Sequence, residues 1–129
     1  MNFTEQFTYN YLLMARKNID QAVGTDKNTQ IKFNEKIASK YRAGLSFRYL
    51  SEFIGKENLQ NSITEFITYA NENEADVDKL STIIAKNTDK NIDWFFDIII
   101  NSRKIIDYKF NSVTKTKDSV SFSITNRTN

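Results

Sequence analysis

The spacing of apolar residues changes once along this chain, close to Ile105, and this change constrains the fold more than any other feature. Before Ile105, apolar side chains recur every three or four residues, which is the period of an α-helix. After it, they alternate with polar side chains, which is the period of a β-strand. The sequence therefore predicts a mainly α fold, an irregular array of about five helices followed by a C-terminal β-hairpin.

The stretch Tyr41–Gly55 has the longest apolar helical pattern and predicts a largely buried central helix. Its apolar residues form two neighbouring stripes, and three charged residues are expected to face water: Arg42, Arg48 and Glu52. We expect the helix to begin near Phe33 and to end at Gly55, a residue type suited to helix termination. Gly44 costs about 1 kcal/mol in mid-helix relative to Ala. Because this cost calls for a structural reason, we expect a neighbouring helix or backbone to approach closely at Gly44.

Four further helices are predicted around the central one, over about residues 3–19, 59–70, 77–87 and 92–102. An exposed polar loop is expected over residues 24–30. Asp76 and Asn91 are suited to cap the last two helices, since each can accept a hydrogen bond from an early backbone amide. The 92–102 helix is apolar almost all round, so we expect it near the centre with Trp94 largely buried.

Two alternating segments joined by a polar turn over residues 115–118 predict the hairpin. Their apolar residues are Ile106, Tyr108 and Phe110 in the first segment and Val120, Phe122 and Ile124 in the second. A lone two-stranded hairpin is marginally stable in water, so this face is expected to need further strands or a helical layer. We therefore expect residues 1–104 to form the helical part of one domain and residues 105–129 to begin another. On this interpretation the chain is a piece of a longer protein.

The composition limits the chemistry that this chain can perform alone. It contains no His and no Cys, which removes the commonest metal ligands, the commonest general base and any disulfide. Its 18 Lys and Arg residues are scattered and nearly balanced by 16 Asp and Glu, so the charge does not indicate a nucleic-acid partner. No stretch reaches the roughly 18 apolar residues of a membrane span. We expect no metal or cofactor to be bound by this chain itself.

Three segments resemble the zinc metallopeptidases of the aminopeptidase N (gluzincin) family: Asn18-Ile-Asp-Gln21, Tyr41-Arg-Ala-Gly-Leu-Ser-Phe-Arg-Tyr-Leu-Ser-Glu-Phe-Ile-Gly55, and Asn91-Ile-Asp-Trp-Phe-Phe96 followed by strands. In that family a central helix opens on Tyr-x-Lys-Gly or a variant and runs to a closing Gly. A later helix carries a Leu-Asp-x-Phe-Phe-like segment before a β-sandwich domain. The resemblance covers the helical second half of the catalytic domain. The family's HExxH zinc motif, third ligand Glu and Gly-x-Met-Glu-Asn substrate motif would lie upstream.

The resemblance implies that the parent protein is a hydrolase, a zinc aminopeptidase, in which this chain forms one wall of the peptide cleft. Zinc and the peptide substrate would then be bound only with the missing N-terminal half of the catalytic domain, and the chain alone would be inactive. Tyr41 resembles the family tyrosine whose hydroxyl stabilises the oxyanion opposite zinc. That tyrosine usually precedes a Leu by ten positions, but Tyr41 precedes Leu50 by nine, and counting from Leu50 selects Lys40 instead. One position turns a helix by about 100°, so only one of the two can face the cleft. The shifted register would also suit an inactive member of the family.

Other candidate residues also have a structural interpretation. Three carboxylate pairs could serve acid–base or cation chemistry, but each lies where capping or a solvated helix face explains it: Asp76 with Asp78, Glu72 with Glu74, and Glu52 with Glu57. Three basic residues beside Tyr41 and Tyr49 form a mixture that can stack on nucleic acid: Lys40, Arg42 and Arg48. A second function class also remains open. In it the chain is a non-enzymatic helical interaction module, which meets a partner protein through Trp94 and its neighbours or through the hairpin edge.

Overall fold

The computed structural model describes residues 3–104 and 107–127, without the side chains of residues 3, 4, 7, 33 and 36–39. The described chain is mainly α-helical and ends in a two-stranded antiparallel hairpin, as predicted. The helices are α1 (Phe3–Arg16), α2 (Lys32–Lys36), α3 (Ala43–Ile54), α4 (Lys56–Ala70) and α5 (Val77–Lys86). Two π-helical segments, π1 (Ile37–Arg42) and π2 (Phe95–Ile100), precede the strands β1 (Tyr108–Lys115) and β2 (Val120–Asn126).

The central helix begins near Phe33, as predicted, and consists of α2, π1 and α3 in direct succession. Asn34 fixes its start, because its buried amide donates a hydrogen bond of 2.6 Å to the carbonyl oxygen of Ile19. Gly55 ends it with a φ of 95°, which side-chain-bearing residues rarely adopt, and α4 begins at the next residue. The Gly55 amide donates to the Ser51 carbonyl oxygen at 3.0 Å. One glycine thus separates two consecutive helices.

The prediction that Gly44 allows a close approach is wrong. A Cβ placed on Gly44 would meet nothing within 4 Å, because this position faces solvent. The close approach occurs at Gly24, where a Cβ would lie 2.4 Å from Oδ1 of Asn101. The Gly24 amide also donates a hydrogen bond of 2.9 Å to the Ile100 carbonyl oxygen. The predicted loop over residues 24–30 is mostly exposed, and its first residue is held against the end of π2.

The π2 segment lies at the centre of the core, as predicted for the fifth helix. Phe95 is fully buried, and its ring makes edge contacts with Phe47 at 5.6 Å and with Phe96 at 5.3 Å between centroids. The buried apolar cluster around it comes from α3, α5, π2 and the residue Ile92 ahead of π2, and comprises Leu50, Ile54, Ile84, Ile92, Phe95, Phe96, Ile99 and Ile100. Helices α3 and α5 and the π2 segment therefore share one core, against which Leu59 of α4 packs.

Both predicted caps are present. The Asp76 carboxylate accepts a hydrogen bond of 2.8 Å from the Lys79 amide at the start of α5. The Asn91 side-chain oxygen accepts one of 3.0 Å from the Asp93 amide ahead of π2. Trp94, expected to be largely buried, is only partly buried. It lies at the edge of the core, because its indole NH donates to the Asn91 carbonyl oxygen at 3.1 Å.

The hairpin pairs β1 with β2 in antiparallel register and contains a bulge at Asn111. Because of the bulge, the apolar alternation passes from Phe110 to Val113 without changing face. Phe110 lies opposite Ile124, and Val113 lies opposite Phe122. Ile106, which was also predicted to belong to this apolar face, lies outside the described residues. Every residue of both strands is exposed.

Candidate functional site

Tyr41 and Lys40 both lie in π1, and they differ in exposure. Tyr41 is partly buried, whereas Lys40 is exposed. Their placement in a π-helical segment alters the argument about register, since counting at 100° per residue assumes an uninterrupted α-helix. Segments of this kind interrupt α-helices frequently at functional sites. The sequence pattern contained no signal for π1.

Arg42, the next residue, was expected to face water, but it is buried. It is only 3% exposed, because three groups surround its guanidinium. One nitrogen donates to the carbonyl oxygens of Ser102 at 2.6 Å and Lys104 at 3.1 Å. The second terminal nitrogen of the guanidinium lies 3.6 Å from a carboxylate oxygen of Asp20, and Asp20 is itself only 6% exposed. A buried charge requires such compensation, and here it comes from both a counter-ion and carbonyl oxygens.

Arg103 and Tyr11 complete this cluster. Arg103 lies 3.1 Å from the second oxygen of Asp20 and also donates to the side chain of Asn18. The guanidinium carbon of Arg42 lies 5.8 Å from the centre of the Tyr11 ring, within the range of a cation–π contact. Burial raises the pKa of the Tyr11 hydroxyl; Arg42 opposes this rise and Asp20 adds to it. Tyr11 is therefore neutral at physiological pH and can donate a hydrogen bond.

A cavity of about 200 Å³ lies beside this cluster, between α1, α3 and π2. Its walls are mostly apolar, with hydroxyls and two cations among the lining residues, which are Tyr11, Arg42, Leu45, Ser46, Tyr49, Phe95, Ile99 and Lys104. Such a lining suits an apolar group that carries a polar end. Tyr41 is adjacent to Arg42 in sequence but does not line this cavity. The structure therefore does not bring the predicted catalytic residue into the cavity next to it.

Trp94 connects the core with a surface that we call the aromatic patch, formed by Tyr49, Phe53 and Trp94. The Trp94 ring makes edge contacts with Phe53 at 5.5 Å and Tyr49 at 6.1 Å between centroids. Tyr49 is 51% exposed and Phe53 is 36% exposed. Phe95 and Phe96, by contrast, belong to the core. Of Trp94 and its two following neighbours, only the partly buried Trp94 therefore reaches the surface.

The carboxylate pairs do not assemble into a site within the described residues. Asp76 serves as a cap, and the other five members are exposed: Asp78, Glu72, Glu74, Glu52 and Glu57. No group of three or more Asp, Glu, His or Cys residues there could hold a metal ion. Of the three basic residues considered for nucleic-acid stacking, Lys40 and Arg48 are exposed but Arg42 is buried.

Comparisons of the chain with protein families, with curated proteins and with solved structures found no match. Among the described residues, no helix is both long and apolar enough to cross a membrane.

Proposed function

We propose that this chain is the helical wall of the peptide cleft in a zinc aminopeptidase-like protein and lacks the zinc site itself. The observation that carries the proposal is the order and packing of the elements. The central helix carries Tyr41-Arg-Ala-Gly44, ends at Gly55 and packs through Phe47 on Phe95, and a hairpin follows. This is the order that the resemblance to the aminopeptidase N family implies. Residues 105–129 would begin the β-sandwich domain of the parent.

In this proposal, Tyr41 supplies a hydroxyl to the oxyanion that forms during peptide hydrolysis. Such a donor acts by stabilising negative charge that develops only in the transition state. Zinc ligands would come from outside this chain, which has no His and no Cys. Arg42 supports Tyr41 indirectly, because its buried contacts with Asp20 and Ser102 fix the end of the helical segment that carries Tyr41.

The coding sequence upstream of Met1 provides the direct test. An in-frame HExxH motif followed by a Glu ligand would support the proposal, as would aminopeptidase activity of the longer protein that requires zinc. A longer protein with the same helices but without HExxH would be an inactive relative. An upstream sequence without any peptidase-like segment would contradict the proposal.

The alternative is a helical interaction module without an enzymatic parent. The aromatic patch favours it, because Tyr49 and Phe53 expose large ring surfaces beside the partly buried Trp94. Aromatic residues are enriched at protein interfaces. The upstream sequence separates the two functions, since the alternative requires no zinc motif.

A further inference from the structure

One face of the hairpin carries a continuous set of large apolar side chains. Six of them are 44% to 65% exposed: Tyr108, Phe110, Val113, Val120, Phe122 and Ile124. The rings of Phe110 and Phe122 lie 5.9 Å apart between centroids, so the two strands contribute to one surface. The bulge at Asn111 keeps Val113 on this face. The opposite face is polar and pairs Ser112 with Ser123 and Thr114 with Ser121.

This apolar face is large for a surface that remains in water. The three aromatic side chains present about 150 to 250 Å² each and the three aliphatic ones less, so six side chains exposed by about half leave on the order of 600 Å² uncovered. The largest apolar patch on a typical monomer is about 300 to 600 Å². Each partner in a stable interface of standard size contributes about 800 Å². The face therefore lies at the upper end of the range for a monomer and supplies about three quarters of the area that one side of a standard interface contributes.

The position of its single charge suits a second copy of the same chain. Lys115, opposite Val120 at the turn end, is the charged residue on this face, while Tyr108 and Asn126 pair at the other end. In a two-fold antiparallel stack, Lys115 of each copy would lie over the Tyr108 end of the other, where hydroxyl and amide oxygens can accept its hydrogen bonds. The two Lys115 residues would be about 20 Å apart along the strands at 3.3 Å per residue, well beyond the roughly 8 Å screening length.

We propose that two copies of this chain form a two-fold symmetric dimer by stacking the apolar faces of their hairpins. The two sheets would pack about 10 Å apart, as in a β-sandwich, and the same residues of both copies would form the contact. The dimer also explains how a hairpin exposed on both faces persists, since a two-stranded sheet without a covering layer is marginally stable. No step of the proposal involves Tyr41 or zinc. It covers the apolar face with a second copy and not with the further β-sandwich strands expected in the proposed parent, so a dimer of this kind would count against that domain assignment.

Sedimentation equilibrium of the purified chain over a wide concentration range tests the dimer. Phe122→Asp places a charge on the apolar face, and the matched control Ser121→Asp places the same charge on the polar face of the same strand. We expect a dimer for wild type and Ser121→Asp, and a dissociation constant raised more than about tenfold by Phe122→Asp. Trp94 fluorescence checks that the helical part remains folded. A wild-type monomer at every concentration, or equal constants for both variants, would overturn the proposal.

A second test does not depend on disrupting the hairpin. The chain has no Cys, so a single introduced Cys can be cross-linked through its thiol only to another copy. Val113→Cys lies at the middle of the apolar face, near the proposed two-fold axis, and Thr114→Cys lies on the opposite face. We expect a short bifunctional thiol reagent to link Val113→Cys into a covalent dimer at least about tenfold faster than Thr114→Cys, because sheets stacked about 10 Å apart hold the two thiols within reach of such a linker but too far apart for a direct disulfide. Equal rates of cross-linking would overturn the proposal.

Discussion

The guanidinium of Arg42 donates a hydrogen bond of 2.6 Å to the carbonyl oxygen of Ser102, which lies 60 positions later in the chain. This bond joins the end of π1 to the residues just after π2. Carbonyl groups at the end of a helical segment lack partners within that segment, and a buried cation satisfies them here. The same cation faces Asp20, so one side chain connects three separate parts of the chain.

Arg42→Met should lower the free energy of unfolding by about 3 kcal/mol, because it leaves Asp20 and two carbonyl oxygens with fewer partners in a buried place. Urea denaturation followed by Trp94 fluorescence would measure the change. The matched control is Arg48→Met on the same helix, where the side chain is exposed and the change should stay within about 0.5 kcal/mol. Equal losses for both variants would contradict the assigned role of the Arg42 contacts.

Glu65 should make a pH-dependent contribution to stability. A hydrogen bond from Lys86 at 2.8 Å, together with one from Asn87 at 3.1 Å, lowers the pKa of this carboxyl below its usual value of 4.5. A lowered pKa in the folded state means that the stabilisation is complete above the unfolded pKa and disappears as the pH falls through the folded pKa. The free energies of unfolding of wild type and Glu65→Gln should therefore differ at pH 7, and the difference should shrink once the pH falls below the unfolded pKa of about 4.5.

Glu57→Gln provides the control, since it removes an exposed carboxylate from the first turn of the same helix. Added salt should reduce the Glu65 effect, because the pair with Lys86 is exposed to solvent. A difference between wild type and Glu65→Gln that stays constant from pH 3 to pH 7 would rule out the ionic explanation.

Helix ends and the hairpin could be predicted from the sequence because local chemistry decides them. Asp76 and Asn91 act as caps through bonds to amides two or three residues away. The burial of Arg42 could not be predicted, since its partners Asp20 and Ser102 are distant in sequence. The π1 and π2 segments and the bulge at Asn111 were missed for a related reason. Each adds a residue to a regular pattern, and the packing of a whole element determines whether that residue is accommodated.

Glycine substitutions should have opposite effects at two positions. Gly44→Ala should raise the free energy of unfolding by about 1 kcal/mol, because Ala favours the helix and the added Cβ meets no atom within 4 Å. Gly55→Ala should lower it by about 1 to 3 kcal/mol, since φ is 95° there. Thermal unfolding of both variants beside wild type would measure these shifts. A loss of stability in Gly44→Ala would show that this site is not open.

Phe95 should contribute more to stability than its neighbour Trp94. Phe95→Ala should cost about 3 to 5 kcal/mol, because the ring is fully buried among Phe47, Trp94 and Phe96. Trp94→Ala should cost less, since part of that ring already contacts water. Far-ultraviolet circular dichroism in urea can follow both variants without the tryptophan signal. An equal or larger cost for Trp94→Ala would place Trp94, rather than Phe95, at the centre of the core.

The last prediction concerns Tyr41 in a longer protein that contains the zinc motif. If its hydroxyl is the oxyanion donor, Tyr41→Phe removes an interaction made mainly in the transition state and keeps the packing of the ring. We expect kcat to fall by about 10² to 10³, with KM and zinc content nearly unchanged. Lys40→Met is the matched control, since Lys40 lies in the same π1 segment and is exposed. An unchanged kcat in Tyr41→Phe with a large loss in Lys40→Met would transfer the role to Lys40. Unchanged kcat in both would leave the chain as a structural wall of the cleft without a catalytic group.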